Sequence, residues 1–429
     1  VRFCDVAIAG GGPAGASAAI LLARAGLSVR LAVAPSPEPG PRIEGASPRV
    51  AGLLARLGLA AEGLAPAVAR EVAWGGAPVA QNREHPIDRI RFDAGLLAQA
   101  ADEGVEVIRA PVARLDPAAR TLTLADGREV AAGRLVEARG RRAPGGTGRR
   151  RGPPTLALVA ADPDPAAAGT RLEARARGWI WRAALPDGRG VVQVVTDPAG
   201  RGRAGLAEAW ARVAGTALPG DARATAAEMR LTAPGLDPAC PRVGDAAIAI
   251  DPLSGHGLFW ALSSALMLPP VLAALEAGKA DLARRFWADR AAATFWRQAR
   301  VGRDFHRLSG FAAPFWAARA AWPDEAPAHP EVSAPALRRS VVVEAGRLVE
   351  AEALVTPNAP EGAAFLLDRR LVPLLRALGP RPATPEALAP LLPGRSAAEI
   401  RAAAGWLAAA GLPDPRLFPD LTRPLEAVP

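Results

Sequence analysis

Three separated stretches of the 429-residue chain carry glycines and polar residues in patterns able to line a ligand. The first is Gly10-Gly11-Gly12-Pro13-Ala14-Gly15, which follows a short apolar run, Val6–Ile8, and precedes an Ala/Leu-rich segment, 16–25. The spacing Gly10-x-Gly12-x-x-Gly15 suits a dinucleotide. Gly10 permits a tight turn, Gly12 lets a pyrophosphate approach the backbone, and Gly15 lets helix and strand pack closely, with the helix N-terminus facing the negative charge. The second stretch is Val243-Gly244-Asp245-Ala246-Ala247, and the third is Asp251-Pro252-Leu253-Ser254-Gly255-His256-Gly257. Alone, an Asp after Gly is a turn or a cap. Gly255 and Gly257, however, allow backbone to lie close to a flat ring. His256 reads either as a proton relay or as a ring that caps a helix. Trp179 and Trp181 are two residues apart and so share one face of a strand, where they flank an aromatic ligand or serve as core. Glu44 reads as a base or as an ion-pair partner of Arg42.

These residues need positioning elements. Strand, turn, helix and strand over the first 33 residues form a βαβ opening, with Gly26 ending the helix and Ser28–Val33 as its second strand. Asp93 is expected to cap a helix over 94–103. A strand follows at 105–110, then a hairpin of 120–124 and 128–130 around Asp126-Gly127, and a separate short strand at 135–138. From about 155 to 235 the alternation predicts an antiparallel sheet, with strands at 155–160, 171–176, 179–185 and 191–196. Strand, loop and helix return from 243. A helical stretch, 280–318, leads to a C-terminal region with a hairpin (341–343, 348–353) and helices near 371–378, 385–392 and 397–410, similar to a winged-helix module. The expected division is a discontinuous cofactor domain (1–150 and 236–280), a substrate domain (151–235), a helical connection (281–330) and a small C-terminal domain (331–429).

Composition narrows the class. Half of the residues are hydrophobic and 22% charged, which suits a globular chain with a substantial core. Lys+Arg exceed Asp+Glu by 52 to 43, for a net charge of +9, and Lys279 is the only lysine. That balance permits an acidic partner, but no nucleic-acid motif accompanies it. Cys4 and Cys240 cannot build a disulfide framework, so a reducing, cytoplasmic setting without a signal peptide is expected. The apolar run 258–275 is interrupted by Ser263, Ser264 and Pro269-Pro270, and reads as a buried helix rather than a membrane span. No metal-ligand cluster stands out.

In this order, GGGPAG, VGDAA and DPLSGHG resemble the FAD-dependent monooxygenases of the p-hydroxybenzoate hydroxylase type, a layout shared with flavin-dependent tryptophan halogenases and geranylgeranyl reductases. The resemblance covers roughly residues 4–310. It implies an α/β fold with a Rossmann-like FAD domain. Gly10, Gly12, Pro13, Ala14 and Gly15 would hold the pyrophosphate. Gly244 and Asp245 would hold the ribityl chain, and Pro252, Gly255, His256 and Gly257 would lie along the isoalloxazine ring. A helix N-terminus there stabilises the negative charge of the reduced ring. Glu44-Gly45-Ala46-Ser47-Pro48 resembles the halogenase segment near the flavin. Arg89 lies in a segment whose Arg reaches FAD, and Val112 falls where the family's backbone meets adenine. Glu137–Arg141 resembles the D-A-x-G-R strand end. One feature departs from the pattern: the ribose-binding acid expected at the end of the second strand is Val33, so either another group holds the ribose or the adenosine end binds loosely.

Gly178-Trp179-Ile180-Trp181, with Leu185-Pro186, resembles the halogenase GWxWxIP motif. Halogenases also need a Lys between these segments. None is present, and an Arg stays protonated and cannot replace it. Oxygen insertion through a flavin C4a-hydroperoxide is therefore expected, with O2 as co-substrate and electrons from NAD(P)H or a separate flavin reductase. Pro252, His256 and Glu44 are the catalytic candidates, and Trp179 and Trp181 the substrate-binding ones. Arg139, Arg141, Arg142, Arg149, Arg150 and Arg151 form either a solvated loop or a docking patch for an acidic chain. The chain also resembles Lys-lacking flavoproteins with GWxW that hydroxylate a protein Trp during quinone-cofactor maturation. That implies an acidic protein or peptide substrate. A small-molecule aromatic hydroxylase, a reductase of the geranylgeranyl type and a non-catalytic flavin-bearing docking protein are the other readings. The oligomeric state is not legible.

Overall fold

A computed structural model describes residues 3–35, 42–145, 149–165, 169–232 and 235–412. The apolar run at the start forms the strand Cys4–Ala9, central in a six-stranded sheet. It pairs in parallel with Val29–Ala32 on one side and Glu129–Glu137 on the other. Glu106–Ile108 extends the parallel edge, while Thr121–Leu124 and Val112–Asp116 continue antiparallel. The strands expected at 128–130 and 135–138 are one strand, Glu129–Glu137. Gly133 does not interrupt it, because its bare α-carbon packs against the Asp5 carbonyl.

The helix Pro13–Arg24 opens with Pro at its first position and buries a nearly continuous run from Ala14 to Ile20. The helix expected at 94–103 is Arg89–Asp102, and its cap is Asp88, not Asp93. Asp88 accepts from the Ile90 and Arg91 amides at 3.0 and 3.3 Å. Asp93 instead lies one turn inside the helix and receives Arg89 at 3.0 Å.

The second large sheet has eight strands in the order Arg223–Ala226, Leu156–Ala161, Gly190–Thr196, Gly178–Ala184, Thr170–Arg175, Val68–Ala73, Val79–Asp88 and Ile43–Ala46. The strands foreseen over 155–196 are all present. Three more come from the first ninety residues, and the pairing of Thr170–Arg175 with Val68–Ala73 is parallel. The pieces expected as separate cofactor and substrate domains accordingly fall in one compact unit, Val1–Ala280 with Trp287–Ala326. Its apolar helix Gly257–Glu276 is long and apolar enough to cross a membrane by composition, but two thirds of it lies buried inside the fold. The expected helical stretch 280–318 is two helices, Ala280–Arg307 and Pro314–Ala320.

The other unit is Asp281–Phe286 with Pro327–Pro429. Its hairpin, Ala336–Glu344 and Arg347–Thr356, carries a third strand, Ala359–Ala363. Leu371, Leu374, Leu375 and Leu378 recur at helical spacing along Leu371–Leu378 and pack with Leu388 and Leu407 into a separate core. Ser396 and Glu399 form a capping box on the last helix, Ala397–Ala409.

Candidate active site

The glycine turn has the geometry a pyrophosphate needs. Gly10 sits at φ +112°, and a Cβ there would fall 2.4 Å from the Ala138 carbonyl oxygen. A Cβ on Gly15 would lie 1.8 Å from the Gly10 oxygen. Gly12 differs: nothing lies within 4 Å of its missing Cβ, and the helix it opens has no side-chain cap. Uncapped helical amides facing open space are what a dinucleotide phosphate would occupy. At the end of the second strand Val33 packs its methyls against Gly11 and offers no acceptor for a ribose.

The later stretches close on this turn. A Cβ on Gly244 would meet the Ala14 side chain at 2.7 Å. Ser264 and Trp260, both on the helix Gly257–Glu276, bind the Gly244 amide at 2.9 Å and its carbonyl at 3.1 Å. That clamp places Asp245 beside the same helix. Burial pushes the Asp245 carboxyl above the usual range, against the pull of Arg141, whose Nε lies 3.3 Å away. A carboxylate beside Arg141 that still opens in part to solvent suits hydroxyl donors such as those of a ribityl chain. Arg230 is buried beneath and donates to the Arg141 carbonyl at 3.0 Å.

The loop before that helix is held by its own polar groups. Asp251 accepts from the Leu253 amide at 2.9 Å, and Ser254 Oγ donates to the Asp251 carbonyl and accepts from the His256 amide. Gly255 adopts φ +62°, where a side chain is disfavoured. His256 occupies the cap position of Gly257–Glu276, but its ring makes no capping bond, and Nδ1 is buried without a partner. Ser47 Oγ, at the start of the helix Pro48–Leu57, is buried and unpartnered in the same way. Two orphaned polar atoms on the two segments expected beside an isoalloxazine fit that ring's nitrogens and oxygens.

Other expected residues take different roles. Glu44 pairs with Arg89 at 2.6 Å rather than with Arg42, and half of its side chain faces solvent. Arg42 reaches Asp93 at 3.7 Å. Burial alone would lower the pKa of Arg89, but Glu44 and Asp93 outweigh it and the net shift is upward. The carbonyl of Val112 already accepts from Arg139 at 3.2 Å, and Arg139 is tied to the buried Glu137. Ala46 is fully buried in its strand. Trp179 is 2% exposed and lies in one buried core with Leu253, Phe315 and Trp316. Trp181 also belongs to this core, but its indole nitrogen reaches the buried Glu84 at 3.3 Å. Sequence reading passed over Glu84 because it lies in a polar run, Gln81–His85, that looks solvated. Of the arginine cluster, Arg139 and Arg141 point inward, while Arg142, Arg150 and Arg151 are exposed. Cys4 and Cys240 are buried free thiols.

Two buried histidines are expected to make the stability of this unit depend on pH. Burial lowers the pKa of His256, with Arg49, Arg297 and Arg70 pushing the same way against its Ser254 contact. Burial also lowers His306, against Asp251 and the Gly302 carbonyl. For a depressed histidine, the unfolded chain binds more protons than the folded one. Its contribution is fully present above the unfolded value of about 6.5 and is lost as pH falls through the folded value. Tm is expected to fall between pH 7.5 and pH 5.5, and His306→Gln should flatten that slope. An equally steep slope in the variant would assign it elsewhere.

The FAD binding domain family matches residues 3–110. A solved structure described as the peptidyl tryptophan dihydroxylase QhpG, essential for tryptophylquinone cofactor biogenesis, is 35% identical, with TM-score 0.77, covering 96% of this chain and 100% of that one. The flavin-dependent halogenase CmlS is 18% identical, with TM-score 0.69 over 96% of each chain. BrvH, a flavin-dependent halogenase from Brevundimonas sp. BAL3, is 19% identical, with TM-score 0.60 over 76% of this chain and 82% of its own. These two halogenases share the fold. A search of curated proteins found no match.

Proposed function

The chain belongs to the family of FAD-dependent monooxygenases that includes this peptidyl tryptophan dihydroxylase, and from that premise we propose that it hydroxylates an aromatic ring, the side chain of a tryptophan in a protein or peptide precursor of a quinone cofactor. Bound FAD supplies the oxygen chemistry: with two electrons from NAD(P)H or a flavin reductase, one atom of O2 replaces a ring hydrogen as hydroxyl and the other leaves as water. The residues of this chain do the rest. The Gly10–Gly15 turn and Asp245 hold the cofactor. The self-bonded loop 251–257 fixes one side of the ring site before any ligand arrives. The core around Trp179, Leu253, Phe315 and Trp316 keeps water from that side.

One observation carries the choice of oxygen insertion over halogenation. The only lysine, Lys279, is exposed just before the helix Ala280–Arg307, so no side-chain amine lies among the segments that line the site. The exposed Arg142, Arg150 and Arg151 supply a basic surface suited to an acidic precursor. The test is anaerobic reduction of the FAD-loaded protein followed by an oxygen pulse, with a tryptophan-containing acidic peptide or with free tryptophan. A mass increase by whole oxygen atoms on the peptide alone is expected. Peroxide release with unmodified peptide, or a chlorinated or brominated product when halide is added, would reject the assignment.

A further inference from the structure

Glu84 lies on the strand Val79–Asp88 and is 6% exposed. A buried carboxylate normally spends its acceptor sites on partners. This one does not. Among the described residues its one hydrogen bond comes from Trp181 Nε1 to Oε2 at 3.3 Å. Arg70 approaches the same oxygen only to 4.0 Å, and its Nε is itself buried without a hydrogen-bond partner, so the pair is not closed. The other oxygen, Oε1, accepts no hydrogen bond among the described residues. It lies over two glycines. A Cβ on Gly45 would be 2.1 Å from it, and one on Gly255 would be 3.8 Å away. Gly45 belongs to the segment beside Ser47, and Gly255 to the loop that carries His256. An ionised carboxylate has about four acceptor sites, and here the free oxygen is turned toward the two backbone segments that frame the candidate ring site.

We propose that Glu84 is the residue that recognises the substrate indole, accepting its ring N–H on Oε1 while Oε2 keeps the N–H of Trp181. This rests on the reading that the substrate is a tryptophan side chain. The chemistry of the donor supports it. An indole offers one donor and no acceptor, and the carboxylate already holds one indole N–H in this geometry. The same contact would assist reaction. When a C–O bond forms on the indole ring, the electron pair comes from the enamine system, and positive charge builds on the ring nitrogen. A carboxylate at that N–H stabilises this charge without itself changing protonation. Gly45 is then required for a reason separate from backbone conformation, since any side chain there would displace the carboxylate.

The test uses FAD-loaded full-length protein and two peptides that differ only in tryptophan or 1-methyltryptophan. The methyl group removes the donor and leaves the ring. Wild type is expected to bind the parent peptide in its oxidised state about ten- to a hundredfold tighter, the range for a hydrogen bond to a charged group. Glu84→Gln, which keeps the shape and loses the charge, should reduce that preference to about threefold or less. Its product per O2 consumed should fall about a hundredfold, with an unchanged flavin absorbance spectrum. Glu84→Leu, which removes the acceptor, should abolish the preference. If it fails to fold, Glu84→Gln still decides. Retention of the wild-type preference and coupling by Glu84→Gln would overturn the role of Glu84 alone. A wild-type protein that binds and hydroxylates neither peptide would overturn the tryptophan substrate as well.

Discussion

A Gly12→Ala protein is expected to fold with an unchanged Tm and to bind FAD about a hundredfold more weakly, the loss of one or two charge-assisted bonds from backbone amides. Gly12 is at φ −72°, which alanine adopts freely, and its added methyl meets no protein atom. The only thing it can obstruct is a ligand. Gly15→Ala is the contrasting case, since its methyl would lie 1.8 Å from the Gly10 oxygen and force helix and strand apart. That variant should lose both FAD and several degrees of Tm. Thermal melts of the apoproteins, together with FAD titration followed by flavin fluorescence, separate the two effects. Affinity within threefold of wild type in Gly12→Ala would place the pyrophosphate elsewhere.

Trp179→Ala should cost about 3–5 kcal/mol of unfolding free energy, the range for removing a large aromatic from a core. The indole belongs to the same buried core as Leu253, Phe315 and Trp316, and Leu253 is part of the loop that carries Gly255 and His256. A cavity at 179 therefore loosens the loop as well as the sheet. Chemical denaturation gives the stability. Trp179→Phe, which keeps most of the volume, should retain peptide binding within about threefold, because a core residue contributes no direct contact. A Trp179→Phe protein of wild-type stability that no longer binds peptide would return this residue to the substrate surface.

What could be read from sequence was local. The turn at 10–15, the Gly244-Asp245 pair and the loop 251–257 are backbone devices whose glycines are adjacent in the chain, so their spacing carries their geometry. What escaped was decided over long range. Asp88 and Asp93 both qualify as caps. In the structure Asp88 accepts the Ile90 and Arg91 amides and receives Arg189 at 2.7 Å, while Asp93 pairs with Arg89 and Arg42. Glu44 paired with Arg89 because strands Ile43–Ala46 and Val79–Asp88 run antiparallel and bring the start of the helix Arg89–Asp102 alongside. Glu84 was illegible for the same reason. The residues that bury it, Gly45 and Trp181, lie 39 positions before it and 97 positions after it. Val33 was read from sequence as a missing acid, and the structure adds that its methyls fill the surface over Gly11.

The eight-stranded sheet is stitched from two separate stretches of the chain, with three strands supplied before residue 90 and five after residue 155. A recombination event that imported one of the two stretches alone would break the parallel seam between Thr170–Arg175 and Val68–Ala73. Diversification on this scaffold is thereby steered toward point changes at single positions and away from the exchange of whole modules.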